Sequence, residues 1–186
     1  MTVPTNFLHG ERLRLTAINE ADIQTMLVWY NDAAFLQLYD SRPAVPRTLE
    51  SLKAEIEDMQ KSQRDFAFAI KLLDDDTCIG YAEIDGIQWQ HGSAGLGMGF
   101  GSAEHRGKGF GTEAGKLVLR FAFEELNLHR LTATVFSYNA VSIHLCQKLG
   151  FVQEGVYREF LLRGGQRHDM LLFGLLRPEW QAAHGQ

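Results

Sequence analysis

His105-Arg-Gly-Lys-Gly-Phe-Gly-Thr112 decides how this chain folds. It joins a β-patterned run at 94–101 to an amphipathic run at 112–126. There Ala114, Leu117, Val118, Phe121 and Ala122 recur on one helical face. Glycine lets a backbone approach a ligand closely and enter φ > 0. The helix that follows offers unpaired N–H groups and the positive end of its dipole. Together these form a site for an anion, a pyrophosphate in particular. Arg106 and Lys108 add positive charge at its rim. The same string also reads as a tight turn that needs glycine for geometry alone. It is no Walker A loop, because GxxxxGK[ST] does not occur. Nor is it a dinucleotide fingerprint, because Gly107, Gly109 and Gly111 follow several strands and no acid stands near Arg130.

On the N-terminal side the chain begins with a strand at 11–17, where Leu13 and Leu15 alternate with Arg12 and Arg14. Asn19 reads as a helix N-cap with Asp22 three residues later, followed by the stripe Ile23, Met26, Leu27, Tyr30. Residues 40–47 form a loop marked by Pro43 and Pro46. Thr48 starts a second helix with the stripe Leu52, Ile56, Met59. Runs at 66–73, 78–87 and 94–101 make an antiparallel meander. On the C-terminal side a strand at 131–135 precedes a short helix capped by Asn139 and ending near Gly150. Strands at about 151–162 and 167–175 then flank the Gly164-Gly165 turn. The order β-α-α-β-β-β-α-β-α-β-β predicts an α+β fold. Its central sheet has about seven strands, mixed but mainly antiparallel, and is flanked by about four helices.

At 186 residues, 45% hydrophobic and 22% charged, the chain fits one domain over 1–186. A net charge of −5 argues against nucleic acid as a partner and suits a cationic small substrate. Cys78 and Cys146 form no CxxC pair and the histidines show no ligand spacing, so no metal is expected. The first residues have no basic, then apolar, signal pattern, and no run of 18 apolar residues occurs. A cytoplasmic protein without membrane association is expected.

Two motifs resemble one family. Arg106-Gly-Lys-Gly-Phe-Gly111 is similar to the [Q/R]xxGx[G/A] acyl-CoA loop of the GNAT acyltransferase superfamily. Asn139-Ala-Val-Ser-Ile-His-Leu-Cys-Gln-Lys-Leu-Gly-Phe151 looks like that superfamily's second signature. Gly10-Glu-Arg-Leu-Arg-Leu15, Trp29-Tyr-Asn-Asp32, Glu154-Gly155 and Arg167-His-Asp169 resemble the branch that acts on ribosomal-protein N-termini and on polyamines. The resemblance implies that strands around 94–101 and 129–136 splay apart around the pantetheine arm of acetyl-CoA. Backbone groups near Phe100 and Gly101 would pair with the arm as a strand does. N–H groups of Gly107, Lys108, Gly109, Phe110, Gly111 and Thr112 would hold the pyrophosphate. Asn139 would hydrogen-bond the arm, Ser142 would sit near the thioester and Lys148 would reach a phosphate. Asn139 also reads as a plain N-cap, and Lys148 as an exposed helix lysine.

The implied activity is N-acetyl transfer from acetyl-CoA to a primary amine, by direct attack in a ternary complex. The amine would be a protein N-terminus, a polyamine or another small cationic amine. The alternative is a CoA-binding sensor or interaction module without turnover. A homodimer is left open. Many family members carry a Tyr, as acid for the leaving thiolate, where this chain has Cys146. Packing is the main role expected of Cys146, with Ser142 or a water as the donor and Tyr138 and Tyr157 as further candidates. His144 cannot activate Cys146, because positions two apart on a helix point about 200° apart. Glu83, on a Gly-x-x-Glu strand, and Glu159, near the end of the chain, are the two candidate bases, each also readable as an ordinary strand carboxylate. The segment 32–47 is expected to form a lid over the acceptor.

Overall fold

The computed structural model describes residues 8–105 and 107–184. Arg106 and the N-terminal residues 1–7, both part of the sequence reading, lie outside the described residues. The caps fall where the sequence places them. Asn19 accepts from the Asp22 N–H and Asp22 accepts from the Asn19 N–H, each at 3.0 Å. This reciprocal box starts α1 (Glu20–Tyr30). Ile23, Met26 and Tyr30 are buried on its inner face. Thr48 accepts from the Ser51 N–H to start α3 (Leu49–Lys61), and Asn139 accepts from the Ser142 N–H to start α5 (Ala140–Lys148).

The strands are β1 (Leu13–Thr16), β2 (Phe66–Leu72), β3 (Cys78–Gln88), β4 (Ser93–Phe100), β5 (Arg130–Phe136), β6 (Val152–Arg163) and β7 (Gln166–Leu176). They form one seven-stranded sheet in the order β1-β2-β3-β4-β5-β7-β6. Every neighbouring pair is antiparallel except β4 and β5. On one face α4 (Phe110–Arg120) buries Ala114, Leu117 and Val118 against Ile70, Ile84 and Leu131. On the other, α1 and α3 bury Met26, Leu52 and Ile56 against Ala69 and Tyr81. Each fully buried aliphatic side chain contributes about 1.5–3 kcal/mol. Among the described residues no helix is long and apolar enough to cross a membrane.

There are six α-helices among the described residues, against the four or so expected. The first addition is α2 (Ala33–Tyr39), inside the segment read as a lid. Asp32 caps it by accepting from the Ala34 N–H at 2.9 Å. Seven residues are too few for a helical period to stand out. The second is α6 (Arg177–His184), whose Trp180 packs on Phe123 at 5.3 Å. The run expected as a helix to residue 126 is α4 followed by a π turn at Phe121–Glu125, in which the Leu126 N–H donates to the Phe121 carbonyl.

Candidate active site

β4 and β5 pair only at Ser93–Arg130, Ala94–Leu131 and Gly95–Thr132, and beyond that point they part. The Arg130 N–H donates to the Gly92 carbonyl, and the Gly101 N–H donates to the Ile79 carbonyl. Backbone direction alternates along a strand, so the even positions Met98 and Phe100 turn their N–H and C=O toward the opening. Gly101 turns away from it, toward β3. The expectation that Gly101 pairs with an extended ligand is therefore corrected, and Gly101 lines neither cavity. It serves packing instead, because a Cβ there would stand 1.8 Å from the Trp29 ring.

Two cavities meet in this opening. The smaller, about 500 Å³, is lined by Phe100, Gly107, Gly109, Phe110, Gly111, Thr112 and Lys148. Gly109 is the N-cap of α4, with φ 84°, and no side chain caps the helix. The first N–H groups of α4 thus keep no helical acceptor. Gly107 also has positive φ, at 72°, whereas Gly111 does not. Gly111 instead admits α5, since a Cβ there would meet Leu145 Cδ2 at 3.3 Å. Lys108 does not line the cavity; its carbonyl accepts from Arg12 Nη1 at 2.9 Å.

Arg12 went unrecognised in the sequence. It lies 4.7 Å from the Phe110 ring centroid and binds Glu113 through Nε at 2.9 Å. Burial works to raise the Glu113 carboxyl, but the Arg12 backbone and guanidinium outweigh it and hold that carboxyl below its ordinary value. Arg12 therefore braces the loop from behind and neutralises a carboxylate that would repel an anion. Splayed strands, an uncapped helix start and a cavity of this size fit the phosphate-bearing acyl carrier implied by the motifs.

The larger cavity, about 530 Å³, lies beside the first. Its floor follows from alternation on two strands. Tyr81, Glu83 and Asp85 of β3 stand opposite Gly99, Gly97 and Gly95 of β4. A Cβ on Gly97 would come within 2.5 Å of Glu83 Oε1, and one on Gly95 within 1.9 Å of Asp85 Oδ1. Gly95 and Gly97 thus make room for acidic side chains, and Gly99 for the rings of Phe35, Tyr39 and Tyr81. That every-second-residue pattern was the signal available in the sequence.

Four carboxylates line this cavity: Asp40, Glu55, Glu83 and Asp85. Asp40 pairs with Arg42 at 2.6 Å and Glu55 with Arg47. Glu83 and Asp85 have no cation partner among the described residues. Burial raises the Glu83 carboxyl above its ordinary value, and the charges of Asp85, Glu55 and Asp65 add to this. A hydrogen bond from the Tyr39 hydroxyl, at 2.7 Å, opposes it. Loss of solvation, then the charge of Asp65, raises Asp85.

Leu38, Tyr39, Met98, Asn139, Ser142 and Leu145 line both cavities and mark their junction. The Asn139 side chain is engaged within the protein. Its Oδ1 accepts from the Ser142 N–H, and its Nδ2 donates to the Leu38 carbonyl at 3.2 Å. It caps α5, as the plain N-cap reading expected, and it also holds α2. Glu159 lines neither cavity. It is exposed on a bulge of β6 with φ 50°, and its N–H donates to Asp169 Oδ1 at 2.8 Å. Cys146 lines the larger cavity and His144 the smaller, so they face different ways.

The model for the acetyltransferase (GNAT) domain family matches residues 12–152. The SPbeta prophage-derived uncharacterized N-acetyltransferase YokL of Bacillus subtilis is 34% identical, over 95% of this chain and 96% of its own. The [ribosomal protein uS5]-alanine N-acetyltransferase of Escherichia coli is 26% identical, over 96% of this chain and 94% of its own. In fold, the chain is similar to spermidine N-acetyltransferase from Vibrio cholerae, solved in complex with CoA and spermine. The TM-score is 0.84 at 23% identity, covering 92% of this chain and 99% of that one.

Proposed function

The chain belongs to the GNAT acetyltransferase family and is an acyl-CoA-dependent N-acyltransferase, and from that premise we propose that it acetylates a small cationic amine using acetyl-CoA. The observation that carries this reading is the pair of carboxylates Glu83 and Asp85, without a cation partner among the described residues, set in the cavity that adjoins the loop cavity. Acetyl-CoA, held at the start of α4, supplies a thioester open to attack by an amine. The chain's own residues bring the amine to that thioester. Glu83 and Asp85 attract the ammonium, and Tyr30, Tyr81 and Phe160 offer ring faces and apolar surface to its stem. Glu83 then takes the proton the attacking nitrogen must lose. A carboxylate raised by burial is the stronger base for that step. Ser142, at the junction, is the hydroxyl placed to share a proton with the departing thiolate.

The test is release of free CoA thiol against a panel of amines at low and high salt. We expect turnover with cationic amines and rates several-fold lower at about 0.5 M salt than at about 0.02 M, because screening weakens attraction to the carboxylates. A preference for acidic acceptors, or rates indifferent to salt, would remove the electrostatic argument. Acetyl-CoA binding without thiol release for any amine would favour a sensor.

Cys146 takes no covalent part in this reading. Burial pushes its thiol up to about 11, so almost none is ionised near pH 7. Cys146→Ala should keep kcat/KM within about fivefold, as expected for a residue outside the chemistry. Initial-rate plots should intersect, as a ternary complex requires. Parallel plots with an acetyl adduct on Cys146 would overturn this.

A further inference from the structure

Tyr39 stands where the two cavities meet, on a helix pinned to the far wall. Helix α2 and the turn after it are held by four hydrogen bonds from elsewhere in the chain. Tyr138 donates to the Gln37 carbonyl and Asn139 Nδ2 to the Leu38 carbonyl at 3.2 Å. Arg163 Nη2 donates to the carbonyls of Asp40 at 2.7 Å and Arg42 at 3.0 Å. The Tyr39 ring is itself fixed, stacked on Phe35 at 5.7 Å and tilted against Tyr81 at 5.2 Å. Its hydroxyl donates to Glu83 Oε1 at 2.7 Å. A hydroxyl so constrained gives up little freedom to make that bond, and a donor to a carboxylate favours the charged form.

We infer that Tyr39 is a positioning residue of the reaction, anchoring the Glu83 carboxylate from the helix that spans both cavities and keeping it ready to accept a proton. The inference rests on the reading of Glu83 as base. Other groups face Glu83 from each packed element. Tyr30 faces it from α1 and Glu55, neutralised by Arg47, from α3. Asp65 faces it from ahead of β2 and Asp85 from β3 itself, and Asp40 with Arg42 lines the same cavity. The three acids Asp85, Glu55 and Asp65 and the burial itself favour the neutral carboxyl. Among these neighbours Tyr39 is the hydrogen-bond donor that opposes them.

The sign follows directly. Removing a donor to the carboxylate destabilises its charged form, so the carboxyl holds its proton to higher pH. The acid limb of kcat/KM should therefore move to higher pH in Tyr39→Phe, which keeps the ring and loses the hydroxyl. On the acid limb the rate should fall about tenfold relative to the unchanged protein, the size of one lost hydrogen bond to a charged group. The high-pH plateau should stay within about twofold, since the base is then ionised in both proteins. Thr25→Val is the control: it removes an exposed hydroxyl of α1 that donates to the Ala21 carbonyl at 3.1 Å and lines neither cavity, so its loss should leave the limb in place.

An unmoved limb in Tyr39→Phe would overturn the inference, as would an equal move in Thr25→Val. A double-mutant cycle with Glu83→Gln separates it from the parent reading. If Tyr39 acts through Glu83, adding Tyr39→Phe to Glu83→Gln changes nothing further. Should Glu83→Gln alone keep the full rate, the base assignment falls. Should it be crippled while Tyr39→Phe titrates normally, only the role of Tyr39 falls.

Discussion

Glu83→Gln is expected to lower kcat/KM for the amine by about 10²–10⁴-fold, the usual contribution of a general base. The substitution conserves shape, and the Tyr39 hydroxyl can still donate to the side-chain oxygen, so α2 keeps its anchor. The loss lies in charge and basicity. It should also depend on pH in a specific way. An alkyl ammonium of pKa about 10.4 leaves little free amine near neutrality. Without a base, the rate should climb steadily toward that pKa with no plateau below it. Acetyl-CoA affinity, measured by calorimetry, should hardly change, because Glu83 does not line the loop cavity. Glu159→Gln gives the contrast: lining neither cavity, it should stay within about twofold of the unchanged rate. A large loss for Glu159→Gln with little for Glu83→Gln would reverse the assignment.

The order of strands and the capped helices at Asn19, Thr48 and Asn139 were legible because their signals are local. A cap acts over three residues and a strand alternates every two. The glycine loop ahead of α4 was legible for the same reason, its glycines lying together in one string. Helix α2 was hidden because what holds it is distant in sequence. Tyr138, Asn139 and Arg163 reach it from about a hundred residues away or more. Arg12 was hidden likewise, reaching Glu113 across 101 residues. The choice between Glu83 and Glu159 depended on which carboxylate the folded sheet turns into a cavity. That turned on bare glycines in a neighbouring strand and on a bulge, neither of which marks the glutamate itself. Asn139 shows the opposite limit: its motif was plain, but only the fold reveals that its amide already bridges α5 to α2.

Gly109→Val should weaken acetyl-CoA binding at least about 100-fold, about 2.8 kcal/mol at 1.4 kcal/mol per tenfold. Gly109 holds φ at 84°, which a β-branched residue adopts only under strain. It is also the residue from which α4 starts, so relieving the strain means re-aiming the first N–H groups of that helix. Losing even one or two hydrogen bonds to a phosphate accounts for the magnitude, at about 1.5–3 kcal/mol each for charged partners. The new Cβ would also press on Arg12 Nη2 at 3.3 Å, loosening the guanidinium that braces Lys108 and Phe110. Strain of about 1–3 kcal/mol should lower the melting temperature as well, by roughly 2–4 °C per kcal/mol for a chain of this size. Stability loss therefore needs its own control, and Gly164→Val supplies it. Gly164 sits in the β6–β7 turn at φ 55°, with nothing within 4 Å of a Cβ, and so carries comparable strain away from the cavities. Gly164→Val should melt earlier yet bind acetyl-CoA normally, whereas Gly109→Val should lose both. Unchanged affinity in folded Gly109→Val would show that the loop does not hold the phosphates. Equal loss in both variants would mean that affinity follows global stability and not the geometry of the helix start.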